Sequence, residues 1–208
     1  MRRRMFFVIL GWIAPLAGVS SVSCTRRPLV EMSVPVDLVV AATTDVHGYV
    51  RGWDYYANAP DTVRGLARAA TIIDSLRKSA TLAPVVVDAG DILQGNPLAF
   101  VAARVDTTMQ NPIILAMNAV QYDAAVVGNH EFNYGLGTLD RAIRQADFPF
   151  LAANATTPDG KPRFRAWAVS TRRGIKIAIV GATTPGAMVW DRDNLSGHVV
   201  IGDVIPAV

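Results

Sequence analysis

"APVVVDAGDILQG", Ala83 to Gly95, decides how this chain reads. Val85, Val86 and Val87 form a continuous apolar run, the pattern of a strand covered on both faces. The run breaks into Asp88-Ala89-Gly90-Asp91, then Gln94-Gly95-Asn96-Pro97. Two carboxylates so close repel unless a proton or a cation lies between them. Gly90 and Gly95 permit tight backbone turns beside a ligand. A solvated turn uses the same residue types. A P-loop needs a lysine that this stretch lacks.

The same grammar recurs outward from this stretch. "VDLVVAATTDVHG" begins at Val36, "AAVVGNHEFNYG" at Ala124 and "KIAIVGATTPG" at Lys176. Each is an apolar run closed by a polar or glycine-rich loop. "TVRGLARAATIIDSLRKSA", from Thr62, sets Val63, Leu66, Ala67, Ala70, Ile73 and Leu76 at helical spacing. "NPIILAMNAVQY" and "LGTLDRAIRQA" are shorter helical candidates, "FPFLAANA" is another strand, and "TPDGKPRF" reads as a hairpin turn through Asp159-Gly160. Strands alternating with helices predict an α/β domain. In such sheets a ligand sits beyond the carboxyl ends of the strands, where every unusual polar cluster here falls.

The amino terminus reads differently. "MRRRMFFVILGWIAPLAGVSSVSC" has a basic tip, an apolar stretch from Met5 to Val19 and small residues up to Cys24. That is the layout of a secretory signal peptide over 1–24, with an amino-terminal anchor helix as the alternative. The net charge of +3 equals the three arginines of that tip, so the rest is formally balanced and nucleic-acid binding is not expected. The only cysteine, Cys24, excludes an internal disulfide. Cys24 resembles the lipid-modified first residue of bacterial lipoproteins, but Ser21 stands where those signals carry leucine, so cleavage without a lipid anchor stays open. Residues 25–32 read as a linker and 33–208 as the folded part.

Three clusters carry the chemistry. Asp45 and His47 flank Val46, and in an extended segment both would project to one face and converge. A carboxylate with an imidazole suits zinc, manganese or iron, although the pair also suits a capped turn. Asp88 and Asp91 form the second cluster. Asn129-His130-Glu131, with Asn133 beyond, forms the third. His130-Glu131 lacks the second histidine of a zinc-protease helix. Asn129 also suits a plain turn.

The order D-x-H, G-D-x-x-Q-G, G-N-H-E, each after an apolar strand, resembles the calcineurin-like metallophosphoesterases, and within them the exported bacterial 5′-nucleotidase group. "WDYY" at Trp53, "GLARAA" at Gly65, "FPFLAANA" at Phe148 and "WDRDNLSG" at Trp190 resemble the members that hydrolyse 2′,3′-cyclic nucleotides. The resemblance implies a layered α-β-β-α sandwich, incomplete on its carboxyl-terminal side. It implies two divalent ions (Zn, Mn, Fe, Co or Mg). Asp45 and His47 would bind one, Asp91 would bridge to the second, and Asn129 would bind the second through its oxygen. His130 would meet the phosphate, and Asn133 would hold His130. Many 5′-nucleotidases carry aspartate at the place of Asn133. An asparagine still orients the ring but does less to raise its pKa. The implied substrate is a small nucleotide, the implied location periplasmic or envelope-attached, and the alternatives are a 5′-nucleotidase, a related dimetal hydrolase or a non-catalytic exported metal-binding protein.

One departure bears on activity. Family members carry further metal-binding histidines later in the chain, whereas this chain has three histidines and the third, His198, fits no ligand motif. His198 reads as a surface or turn residue. The expectation is a first part of the phosphoesterase domain, which alone binds metal weakly and turns over little substrate.

Overall fold

The computed structural model describes residues 35–208. The readings placed on 1–24, on Cys24 and on the linker 25–32 lie outside the described residues. Chain order begins with β1 (Val40–Thr43), a small hairpin of β2 (Trp53–Asp54) and β3 (Ala59–Pro60), then α1 (Leu66–Ser79). Next come β4 (Val85–Asp88), α2 (Pro97–Phe100) running into a π-helical turn (Val101–Val105), and α3 (Pro112–Val120). β5 (Ala124–Val126), α4 (Leu136–Gln145), β6 (Phe150–Leu151) and β7 (Ala155–Thr156) follow. The chain continues through β8 (Trp167–Arg172), β9 (Ile175–Val180), α5 (Ala187–Trp190), α6 (Arg192–Leu195) and β10 (Val200–Ile201).

β1, β4, β5 and β6 make one parallel sheet in that order. Right-handed crossovers between sequential parallel strands put α1, α3 and α4 on the same face. The opposite face receives the β8–β9 antiparallel hairpin. Arg172 ties the hairpin to the sheet, donating to the Pro84 carbonyl and to Asp123, and Ser170 also donates to Asp123. The α/β expectation holds, with helices, parallel sheet and hairpin as successive layers. β9 is not a member of the parallel sheet, however. It alternates half-buried and exposed residues, so its apolar run is a hairpin strand and not a central one.

Local chemistry explains the helix boundaries. Asn111 caps α3, accepting from the Ile113 and Ile114 amides, and Pro112 occupies the first turn, where its missing N–H costs nothing. α1 begins three residues later than Val63, which is exposed. The Asp61 carboxylate accepts from the Val63 and Arg64 amides and holds that stretch as a turn. Leu66 and Ile73 then carry the buried face of α1. The core runs between helices and sheet through Ile113, Ile114, Met117, Phe132 and Leu139, all fully buried. The Asp159-Gly160 turn forms as expected, closed by the Thr157 amide donating to the Lys161 carbonyl.

Candidate metal centre

Three loops leave the carboxyl ends of β1, β4 and β5 side by side. The first two are bonded backbone to backbone: the Asp45, His47 and Gly48 amides donate to the carbonyls of Gly90, Asp91 and Ile92. Asp45, His47 and Asp91 all have positive φ, at 53°, 46° and 64°. Non-glycine residues are uncommon there, and such strain persists only where the surroundings enforce it. The Asp45-Val46-His47 stretch is therefore not extended, which corrects the expectation that strand alternation aligns its side chains. The turn brings them together by another route, with Asp45 Oδ1 3.6 Å from His47 Nε2.

His47, Asp91 and His130 offer ligand atoms that lie within 4.8 Å of one another. The rings of His47 and His130 meet edge to face with centroids 4.8 Å apart. His47 Nδ1 lies 2.6 Å from the Gln94 carbonyl, which can only accept, so Nδ1 carries a proton and Nε2 is the nitrogen that offers a lone pair in the neutral ring. A metal-ligating histidine has that arrangement, its other nitrogen donating to a carbonyl. The imidazole and carboxylate donors fit a divalent ion of the zinc, manganese or iron kind. Asp45 is the most exposed of the set. Asn129 lies half-buried in the turn after β5, next to His130.

Glycines make this approach possible. A Cβ at Gly95 would lie 2.5 Å from His47 Cβ, and one at Gly128 would lie 2.4 Å from Asp91 Oδ1. Nothing larger than hydrogen fits at either place without moving a candidate ligand.

Glu131 is fully buried and joins two of the loops. Its Oε2 accepts from the Asp91 and Gly128 amides, and its Oε1 accepts from the Ile92 and Leu93 amides. Burial raises the pKa of its carboxyl, and these amides oppose the rise. Asp91 Oδ1 accepts in turn from the His130 amide. Deeper in, Asp88 accepts from the Thr43 hydroxyl and the Gly90 amide, and burial pushes its carboxyl up to about 7. Asp88 is thus a neighbour of the site in the core, whereas Asp91 faces it.

His130 and Asn133 are together as expected, His130 Nδ1 standing 2.6 Å from Asn133 Oδ1. Sequence reasoning missed the residue behind them. Asn133 Nδ2 donates to Asp191 Oδ1 at 2.7 Å, and Asp191 is buried. Its signal was the "WDRDNLSG" stretch, quoted for likeness alone. His198 is exposed and is not one of the grouped ligand candidates among the described residues.

No family model matches the chain. It is 36% identical over 217 residues to the 2′,3′-cyclic-nucleotide 2′-phosphodiesterase/3′-nucleotidase of Haemophilus influenzae, covering 99% of this chain and 32% of that protein. It is 37% identical to the trifunctional nucleotide phosphoesterase protein YfkN of Bacillus subtilis, over 82% of this chain and 13% of that one. The chain thus spans a third or less of the length of these curated relatives. Among solved structures it is similar to the calcineurin-like phosphoesterase YfkN, with a TM-score of 0.78, 37% identity and coverage of 83% of this chain and 56% of that one. The 5′-nucleotidase precursor of Thermus thermophilus matches with a TM-score of 0.66 at 28% identity, over 82% of this chain and 32% of that one.

Proposed function

We propose that this chain, which belongs to the 5′-nucleotidase group of the calcineurin-like metallophosphoesterases, carries the metal- and phosphate-binding loops of an enzyme that hydrolyses nucleotide phosphoesters. The substrates are 2′,3′-cyclic nucleotides, opened to 3′-nucleotides, which are then cleaved to nucleoside and phosphate. The observation that carries the reading is the convergence of His47, Asp91 and His130 at the carboxyl ends of β1, β4 and β5. The resemblance to the Haemophilus phosphodiesterase/3′-nucleotidase supports the choice of substrate.

The fold implies divalent metal. Two such ions, when bound, would supply Lewis acidity and a more acidic water for an in-line displacement at phosphorus. In this reading Asp45 and His47 would hold one ion, Asn129 would hold the other, and Asp91 would contribute to both. His47 offers Nε2 because Gln94 occupies Nδ1. With Nδ1–H held by Asn133, His130 would act through Nε2. As the imidazolium it would donate Nε2–H to the phosphoryl group, steady charge on its oxygens and give that proton to the departing 2′-oxygen, returning to the neutral Nδ1–H ring. Asn133 holds the opposite nitrogen of that ring. The reading includes export, resting on the basic tip and apolar stretch at the amino terminus, with residues 1–24 as the signal.

The test compares phosphate release from 3′-AMP and 5′-AMP and ring opening of 2′,3′-cyclic AMP, with Mn(II) and with chelator. It is run on the 208-residue chain and, if the coding sequence continues past Val208, on the longer product as well. Metal-dependent opening of the cyclic substrate supports the reading. Turnover of 5′-AMP alone would favour the 5′-nucleotidase reading that the Thermus likeness supports. No turnover of any of the three substrates by the fullest chain encoded would leave a metal-binding protein.

A further inference from the structure

We propose that Asp191 is a positioning residue that fixes the tautomer of His130, acting through Asn133. The phosphoesterase role of His130 rests on the reading above; the assignment of its proton does not.

The argument is one of donors and acceptors. A carboxylate accepts only, whereas an asparagine amide donates from nitrogen and accepts at oxygen. Which way such an amide points is decided by its hydrogen-bond network. Asp191 Oδ1 lies 2.7 Å from Asn133 Nδ2. Turning the amide over would set two acceptor oxygens face to face at that distance, inside a site where Asp191 is only 5% exposed. Unpaired polar groups are costly there. The amide oxygen must therefore face His130, 2.6 Å from its Nδ1. An acceptor facing Nδ1 requires the N–H on Nδ1, which leaves Nε2 as the ring nitrogen free for a ligand.

Asp191 is itself held still. Its amide donates to the Ala187 carbonyl, and its carbonyl accepts from the Asn194 and Leu195 amides. Among the described residues its second oxygen, Oδ2, is buried without a hydrogen-bond partner. The only hydrogen bond to its side chain among those residues runs to Asn133, so the carboxylate serves the asparagine. This arrangement also accounts for asparagine at position 133. An aspartate there would bring a second carboxylate against Asp191. In this chain the negative charge stands one residue further from the imidazole, and the uncharged amide transmits orientation.

The test reads the ring protons directly, without turnover. Long-range nitrogen–proton NMR of the metal-free chain at alkaline pH distinguishes the two tautomers, and with three histidines in the sequence the His130 signals are assigned by their loss in His130→Gln. The expected result is His130 with its proton on Nδ1, retained in Asp191→Asn, whose side-chain oxygen still accepts, and lost to a mixed or Nε2–H state in Asp191→Leu. A wild-type ring protonated on Nε2 overturns the proposal, whatever the variants do. An Nδ1–H ring that persists in a folded Asp191→Leu also overturns it. If Asp191→Leu fails to fold, the exchange pair decides. Asn133→Asp alone should lower thermal stability, and Asn133→Asp with Asp191→Asn should restore it together with the Nδ1–H signature. Independent, additive losses in the double variant would overturn the assignment. Absence of any phosphoesterase activity would overturn the functional reading and leave these outcomes intact.

Discussion

The Glu131 carboxylate accepts the Asp91 backbone amide at 2.8 Å, joining the loop after β5 to the loop after β4. Three further amides, from Ile92, Leu93 and Gly128, share the same two oxygens. Glutamine keeps the shape but puts an NH2 group against two N–H donors. Hydrogen bonds to charged groups contribute about 1.5–3 kcal/mol each, and unpaired buried donors add cost. Glu131→Gln should therefore lose about 3 kcal/mol in urea unfolding and weaken metal binding as the Asp91 loop loosens. Wild-type stability in this variant would reject the joining role.

Gly95 tests how closely the second loop must approach the first. Its φ is 147°, and an added Cβ would meet His47 Cβ at 2.5 Å. The ring of His47 must then move. Displacing a ligand or its supporting shell typically costs 10–100-fold in metal affinity. Gly95→Ala should show a loss of about that size for Mn(II) or Zn(II) by titration calorimetry. Gly137→Ala, where a Cβ meets nothing within 4 Å, should bind as wild type.

Asp88 should make stability depend on pH. Burial holds its carboxyl at about 7 against an ordinary 3.8, so the folded chain keeps a proton that the unfolded chain releases. A raised carboxyl favours the folded state least where both states are ionised. Stability should thus fall as pH rises from about 4 to about 7 and level off above. Each pKa unit is worth about 1.4 kcal/mol, so the loss is on the order of 4 kcal/mol. Asp88→Asn can still accept from the Gly90 amide and has no charge to bury. In urea unfolding with chelator present, its advantage over wild type should grow between pH 5 and pH 8. A difference that stays constant with pH would exclude Asp88 as the source.

Much of this was legible in the sequence because the relevant signals are local. The valine run of β4, the Asn111-Pro112 start of α3 and the Asp159-Gly160 turn each follow from residues within a few positions. Asp45, His47, Asp91, Asn129 and His130 stand out in the sequence because each falls in a polar loop just after an apolar run, and the structure sets β1, β4 and β5 side by side. What escaped depends on tertiary contact. The left-handed backbone at Asp45 and His47 is imposed by hydrogen bonds to a loop more than 40 residues away, which strand periodicity cannot register. Asp191 lies 58 positions from Asn133, and only the packed chain shows that one carboxylate meets that one amide. β9 reads as a central strand by composition, but its alternating burial arises from pairing with β8.

The pair Arg172 and Asp123 should separate stability from metal binding. Asp123 Oδ2 lies 2.6 Å from the guanidinium, with both side chains less than one-fifth exposed. Burial would raise the pKa of Asp123, but hydrogen bonds from Arg172, Ser170 and the Val86 amide outweigh it and hold the carboxyl below its usual range. The stabilisation is therefore present above the ordinary carboxylate pKa and lost as pH falls through the depressed value. Breaking a buried pair leaves the partner charge uncompensated, and here partial exposure tempers the cost to about 2–3 kcal/mol. Asp123 precedes β5 and Pro84 precedes β4, so this tie lies at the amino ends of the strands, opposite the candidate metal centre. Asp123→Ala should lower urea stability by that amount while the folded chain keeps its Mn(II) affinity. Asp74→Ala, which breaks an exposed i,i+3 pair with Arg77, should change stability by less than about 0.5 kcal/mol. Loss of metal affinity in folded Asp123→Ala would mean that the two ends of the sheet are coupled.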